Sequence, residues 1–161
     1  MKIKQAKIDT LLNDPANARS HDQRNIDAIK SSLEKFGQQK PIVVNADGVV
    51  VAGNGTLVAA KDLGWDKISI VETELDGVDA TAYAVADNRT AELAAWDDVA
   101  LGKLLSELRE ESENLIVGFT DDEIDILITP KISGVGATEI SADDFSRFDN
   151  KCKNCGFEFD D

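Results

Sequence analysis

"VVVAGNGTLVAAKDLGW", residues 49–65, decides how the first half of this chain folds. Three β-branched residues run into Gly53-Asn54-Gly55-Thr56, and apolar residues then recur at helical spacing as far as Gly64. β-branched residues suit a strand and a 3.6-residue period suits a helix, so the stretch reads as strand, tight turn and helix. A strand that delivers a glycine-bearing turn to a helix N-terminus can bind anions: free N–H groups converge there, the helix dipole favours negative charge, and glycines admit close approach. The same residues also serve as a plain turn closed by a Thr56 helix cap. The spacing matches neither a Walker loop, which places Lys after its glycines, nor G-x-G-x-x-G.

The flanking segments complete a small α+β (mixed α/β) body. Upstream, "KPIVVNADGVVVAG" (40–53) reads as two strands joined at Ala46-Asp47-Gly48, since Asp-Gly is a strong hairpin signal. Before it, "SHDQRNIDAIKSSLEKFG" (20–37) places Ile26, Ile29, Leu33 and Phe36 on one helical face, with Ser20 and Gln23 as a capping box and Gly37 as the stop. "AKIDTLL" (6–12) and "DKISIVETEL" (66–75) read as extended segments, and "NDPANARSH" (13–21) as a turn. From Asp76 the chain turns helical: "DATAYAVADNRTAELAAW" (79–96) is alanine-rich, and "DVALGKLLSELREE" (98–111) repeats Leu101, Leu104, Leu105 and Leu108 on one face. "TDDEIDILI" (120–128) opens with a Thr120/Glu123 capping box. Trp65 and Trp96 are expected as aromatics packing the helices onto the sheet. The expected organisation is a core over 1–90, a helical extension over 91–129, and a linker with an acidic tail over 130–161.

At 161 residues with 42% hydrophobic and 30% charged residues, the composition is that of an ordinary globular protein. No apolar run approaches a membrane span, and "MKIKQAKIDTLL" lacks the apolar core and cleavage site of a signal peptide, so a cytoplasmic location is expected. The net charge of −14 is uneven: residues 1–89 hold 11 Lys/Arg and 13 Asp/Glu, whereas residues 90–161 hold 6 and 18. Such an acidic second half repels nucleic-acid phosphates, which argues against unaided duplex binding there.

"NDPANARSH", "FGQQKPIVV", "VVVAGNGTLVAAKDLGW" and "AVADNRTAELAAWD" follow one another in an order that resembles the ParB/sulfiredoxin superfamily, and specifically the ParB-like N-terminal (ParB-like nuclease) domains of phages and mobile elements. The resemblance covers roughly residues 5 to 128. It implies a nucleotide held between these segments, as CTP with magnesium is held in ParB proteins. By position, Asn17 and Arg19 fall beside phosphates, Gln39 and Lys40 along the rim, and Gly53, Asn54, Gly55 and Thr56 around the phosphates. Asp87 and Asn88 fall near a magnesium ion, with Arg89 and Glu92 as further candidates; Arg19, Asp87 and Glu92 form the implied catalytic set. The implied function is Mg-nucleotide binding of the CTP or ATP class, with slow NTPase activity, in a DNA-associated role in a bacterial host cell. The alternatives are a nuclease, a phosphotransferase of the serine-kinase type, or a non-catalytic interaction module.

One departure from the family bears on chemistry. ParB-like loops carry Arg where this chain has Thr56, and Thr supplies neither charge nor the bidentate fork of a guanidinium. The sulfiredoxin reaction needs a cysteine in this loop, and none is present. Asn17 and Arg19 also read as a polar turn with a surface ion pair, and Asp87-Asn88-Arg89 as a solvated helix face. His21, the sole histidine, reads as a surface or capping residue close to Asn17 and Arg19. DNA is expected to be reached through a partner protein, such as a methyltransferase or packaging component.

The two cysteines, Cys152 and Cys155, form a Cys-x-x-Cys-Gly among four phenylalanines. Two thiolates are half of a structural zinc site, so either two chains share one zinc in a homodimer, a partner supplies the rest, or the pair are reduced thiols.

Overall fold

The computed structural model describes residues 2–112, 115–129, 150–151, 153–155 and 158–159. The chain divides into two units, Met1–Thr129 and Pro130–Asp161.

In the first unit the order is β1 (Ile3–Lys7), a 3-10 turn (Ile8–Thr10), β2 (Leu12–Asn13), α1 (Gln23–Phe36), β3 (Ile42–Val44), β4 (Val49–Ala52), α2 (Asn54–Asp62), β5 (Lys67–Glu72), α3 (Gly77–Leu93), α4 (Asp98–Ser112) and α5 (Asp121–Ile128). The second unit carries a short antiparallel pair, β6 (Asn150–Lys151) and β7 (Glu158–Phe159). The five strands of the first unit lie in the order β1-β5-β3-β4-β2. β1 pairs antiparallel with β5, β5 parallel with β3, β3 antiparallel with β4, and β4 parallel with β2. The mixed α/β architecture expected from the sequence is the one observed.

Alternation along the strands sends Ile42, Val44, Val50, Ile68 and Ile70 to one face, where they join Ile26 and Leu33 of α1 and Leu57, Ala59 and Ala60 of α2 in a single buried cluster. Val44, Val50, Leu57 and Ile68 are fully buried there. Each such side chain contributes about 1.5–3 kcal/mol through removal from water, and together they anchor α2 to the sheet. Val43 and Val51 point the other way, and α3 packs against β4. α3 buries no side chain completely.

The β3–β4 hairpin closes where Asp-Gly placed it. Gly48 N donates to Asn45 O at 3.1 Å, and the Asn45 side chain accepts from Asp47 N and Val49 N at 3.1 and 2.9 Å. α5 begins with the expected capping box: Thr120 Oγ1 accepts from Glu123 N, and Glu123 Oε2 accepts from Thr120 N at 2.9 Å.

Four local expectations need correction. α1 is capped by Asp22, whose carboxylate accepts from Asn25 N at 2.8 Å, rather than by Ser20; Gln23 is already helical and donates to Asp27. Thr56 is not a cap, because α2 begins at Asn54 and places Thr56 inside the first turn. Trp96 is 73% exposed beyond the end of α3, whereas Trp65 does pack against the main cluster. Of the expected apolar faces, Ile26, Leu33, Leu101 and Leu105 are buried, while Phe36, Leu104 and Leu108 stay exposed.

α4 and α5 form a second, smaller core around Leu101, Leu105 and Ile124. Among the described residues, no helix is long and apolar enough to cross a membrane.

Candidate functional site

The end of β4 and the start of α2 form the floor of a cleft. Gly53 sits in left-handed backbone (φ +97°), and a Cβ there would lie 2.5 Å from Ile42 Cγ2. Both facts demand glycine: an L side chain is strained at that φ, and the approach of β3 leaves no room for one. Gly55 has a different reason. A Cβ on it would meet His21 Cε1 at 2.7 Å and Ile29 Cδ1 at 3.0 Å.

Asn54 is the polar residue buried between them, with 7% of its surface exposed. Its Oδ1 accepts from Asp14 N at 3.0 Å and Asn13 Nδ2 at 3.2 Å, and its Nδ2 donates to Val50 O at 2.9 Å. The side chain therefore pins the 13–14 segment to the end of β4. What Gly-Asn-Gly-Thr offers a ligand is backbone: the first intrahelical bond runs from Leu57 N to Gly53 O, so the N–H groups of Asn54, Gly55 and Thr56 have no partner within α2.

Three further segments wall the cleft, whose volume is about 230 Å³. Asn17 and Arg19 come from the turn before α1, Lys40 from the segment before β3, and Tyr83, Asp87 and Asn88 from α3. Asn17 fixes its own turn, accepting from Arg19 N at 3.2 Å and donating to Arg19 O at 3.0 Å. Lys40 is placed by Gln38, whose amide donates to Ser69 O and accepts from Ser69 N, so the segment is bound to β5 like a strand residue. Asn88 donates to Ala84 O, one turn back on α3, at 2.9 Å. Among the described residues, the side chains of Lys40, Thr56, Tyr83 and Asp87 make no hydrogen bond or ion pair within the protein.

Of the sequence-derived candidates, Asn17, Arg19, Lys40, Gly53, Asn54, Gly55, Thr56, Asp87 and Asn88 all line this one cleft. Gln39 does not; its amide turns back to the carbonyl of Phe36. Arg89 and Glu92 line a neighbouring hollow, which shares Asn17, Arg19 and Asn88 with the cleft. There Glu92 Oε1 pairs with Arg19 Nη1 at 2.9 Å and Glu92 Oε2 with Arg89 Nη1 at 3.3 Å.

Two further cleft residues carry polar rings: His21, read from the sequence as a surface or capping residue near Asn17 and Arg19, and Tyr83, which the sequence reading missed. His21 lies against Gly55 with Nδ1 2.6 Å from Asn25 Oδ1, and Tyr83 contributes the cleft's aromatic ring. The pairing of His21 with Asn25 was legible as an i, i+4 spacing at a helix start; nothing local marked Tyr83.

Chemically, the cleft combines a helix N-terminus, one guanidinium, one ammonium and an acidic-amide pair. That is a set of donors for an anion beside one carboxylate able to share a hard cation with it. Among the described residues no group of three or more His, Cys, Asp or Glu side chains stands ready to hold a metal. Cys155 is a free, exposed thiol between β6 and β7, and Cys152 lies outside the described residues.

A structure of the C-terminally truncated chromosome-partitioning protein ParB from Caulobacter crescentus, complexed with CTP-gamma-S, superposes with a TM-score of 0.62 at 21% identity, over 80% of this chain and 71% of that one. The chain has the fold of this ParB structure. This agrees with the superfamily resemblance carried by the four ordered motifs. In sequence, the chain is 29% identical over 55 residues to the ParB-like nuclease domain-containing protein YnaK of Escherichia coli (strain K12), a match over 34% of this chain and 63% of that protein. It thus spans less than two thirds of the length of this curated relative. Sulfiredoxin from Arabidopsis thaliana aligns at 23% identity over 47% of this chain and 88% of that one, with a TM-score of 0.42. No family model matches the chain.

Proposed function

We propose that the chain binds a magnesium nucleotide of the CTP or ATP class in this cleft, with its phosphates on the N-terminus of α2. The observation that carries the reading is convergence: three segments between Asn17 and Asn88 bring their cations, amides and one carboxylate to the three N–H groups at the start of α2. Arg19 and Lys40 supply the positive charge that Thr56 does not. Asp87, with Asn88 beside it, would hold a magnesium ion that also binds the phosphates, since this ion usually takes only one or two carboxylates from the protein. The relative solved with CTP-gamma-S has the same fold and supports the choice of ligand class.

With no guanidinium on the loop itself, neutralising charge on a transferring phosphoryl group rests on Arg19 and Lys40, so the site is suited to binding with slow hydrolysis at most. A DNA-associated role in a phage or mobile element is part of the same proposal, with contact to DNA running through a partner rather than the acidic helices after residue 90. The second reading is an interaction module that retains the fold without the ligand. It is favoured by one fact: Gly53, Asn54 and Gly55 each have a packing reason that needs no ligand.

Calorimetric titration of the full chain with CTP, ATP, GTP and ADP, with and without magnesium, separates the two. Saturable binding that is strongly weakened in Arg19→Ala and in Asn88→Ala, yet still measurable, supports the nucleotide site. Absence of binding to all four supports the module.

A further inference from the structure

Glu92 stands at a junction that the nucleotide reading leaves unexplained. One carboxylate bridges two guanidinium groups, from Arg19, 73 residues earlier in the chain, and from Arg89 on its own helix. Arg19 lines the cleft and also the hollow in which Glu92 sits. Its backbone is held at both N–H and C=O by Asn17, while its side chain is 42% exposed and that of Glu92 is 49% exposed. The guanidinium is thus a half-exposed group on a fixed base, bordering both the cleft and the hollow.

Resting on the nucleotide reading above, we propose that Glu92 is an internal competitor for the cleft's ligand: its carboxylate holds Arg19 until a ligand with two or more phosphates draws it away, so capture of a polyphosphate is coupled to breaking this pair. With Arg19 held on Glu92, the cleft presents Lys40 against Asp87 and has little net charge to offer a monophosphate. A di- or triphosphate brings more charge and several oxygens for the guanidinium fork, and such charge-assisted bonds are stronger than a pair exposed to water. Exposed ion pairs are worth only about 0–1 kcal/mol, so the competition can be won. Arg89 remains three residues from Glu92 on the same helix, so the carboxylate keeps a partner after Arg19 leaves. Glu92 is then neither a magnesium ligand nor a catalytic acid, but the residue that sets the cost of bringing Arg19 to the phosphates.

The test compares wild-type chain and Glu92→Gln in titrations with nucleoside mono-, di- and triphosphates of one base in the presence of magnesium. The substitution keeps size and helix propensity and removes the charge. Expected is a several-fold tightening for the triphosphate, about fivefold if the pair is worth 1 kcal/mol, with a smaller gain for the monophosphate, which does not draw Arg19 off Glu92. The gain should disappear when Glu92→Gln is made in an Arg19→Ala background. Equal affinities in the two proteins, or weaker binding by Glu92→Gln, overturn the competitor while leaving the nucleotide site standing. Failure of both proteins to bind any phosphate overturns the site and the competitor together.

Discussion

Replacing Asn54 with Ala asks whether the centre of the glycine turn serves the ligand or the fold. The amide makes three hydrogen bonds, to Asp14 N, Asn13 Nδ2 and Val50 O, at 2.9–3.2 Å from a nearly buried position. Alanine removes all three and leaves the Asp14 N–H and the Val50 carbonyl to find other partners. At about 1 kcal/mol for each net bond, the loss is about 2–3 kcal/mol. With a urea slope of about 1.5 kcal/mol per molar, the unfolding midpoint falls by roughly 1.5–2 M at unchanged slope. Urea denaturation of the full chain followed by far-ultraviolet circular dichroism measures it. Asn54→Asp should cost at least as much, because a carboxylate cannot donate to Val50 O and repels it. A loss under about 0.5 kcal/mol in Asn54→Ala, accompanied by weakened nucleotide binding, would refute the reasoning and return this side chain to the ligand.

Gly53→Ala combines positive φ with a Cβ 2.5 Å from Ile42 Cγ2, and should destabilise by about 2–4 kcal/mol, measured by the same denaturation. Gly102→Ala drives a Cβ to 2.3 Å from the Leu127 carbonyl, a backbone atom that no rotamer can relieve; hydrogen exchange should accelerate in α4 and α5 before the sheet is affected. The hydrogen bond from Arg24, followed by the Thr120 backbone N–H, holds the Glu123 carboxyl below its ordinary value. Its stabilising contribution is therefore present above the usual glutamate range and fades as pH falls through the lowered value. Thermal melts should show an acid-side slope that is shallower in Glu123→Gln and in high salt.

The sequence signals that held were local ones with a physical cause inside a few residues: Asp-Gly at the hairpin, Thr120 with Glu123 at the start of α5, and Gly37 at the end of α1. At the site, the order of motifs was enough to bring Asn17, Arg19, Lys40, Asp87 and Asn88 to one cleft. What stayed hidden depended on distant partners. Gly53 and Gly55 were read as freedom for a phosphate, yet Ile42, His21 and Ile29 leave no space for any side chain there. Glu92 was placed beside Asp87 by the family resemblance, and only the folded chain sets it against Arg19. Ser20 lost the cap to Asp22 because both are good capping residues and spacing alone does not choose between them. Trp96 was assigned to the core by residue type, yet it lies past the end of α3, a helix that buries no side chain completely, and stays in water.

The central claim is that phosphate sits on the N-terminus of α2, and backbone amide resonances test it at the atoms concerned. Titration of the labelled chain with magnesium and CTP or ATP should shift the Gly55 and Thr56 amide protons downfield, as charge-assisted hydrogen bonds form, along the same saturation curve as calorimetry. Binding that leaves these two amides unmoved, or no binding to either nucleotide, would contradict the account.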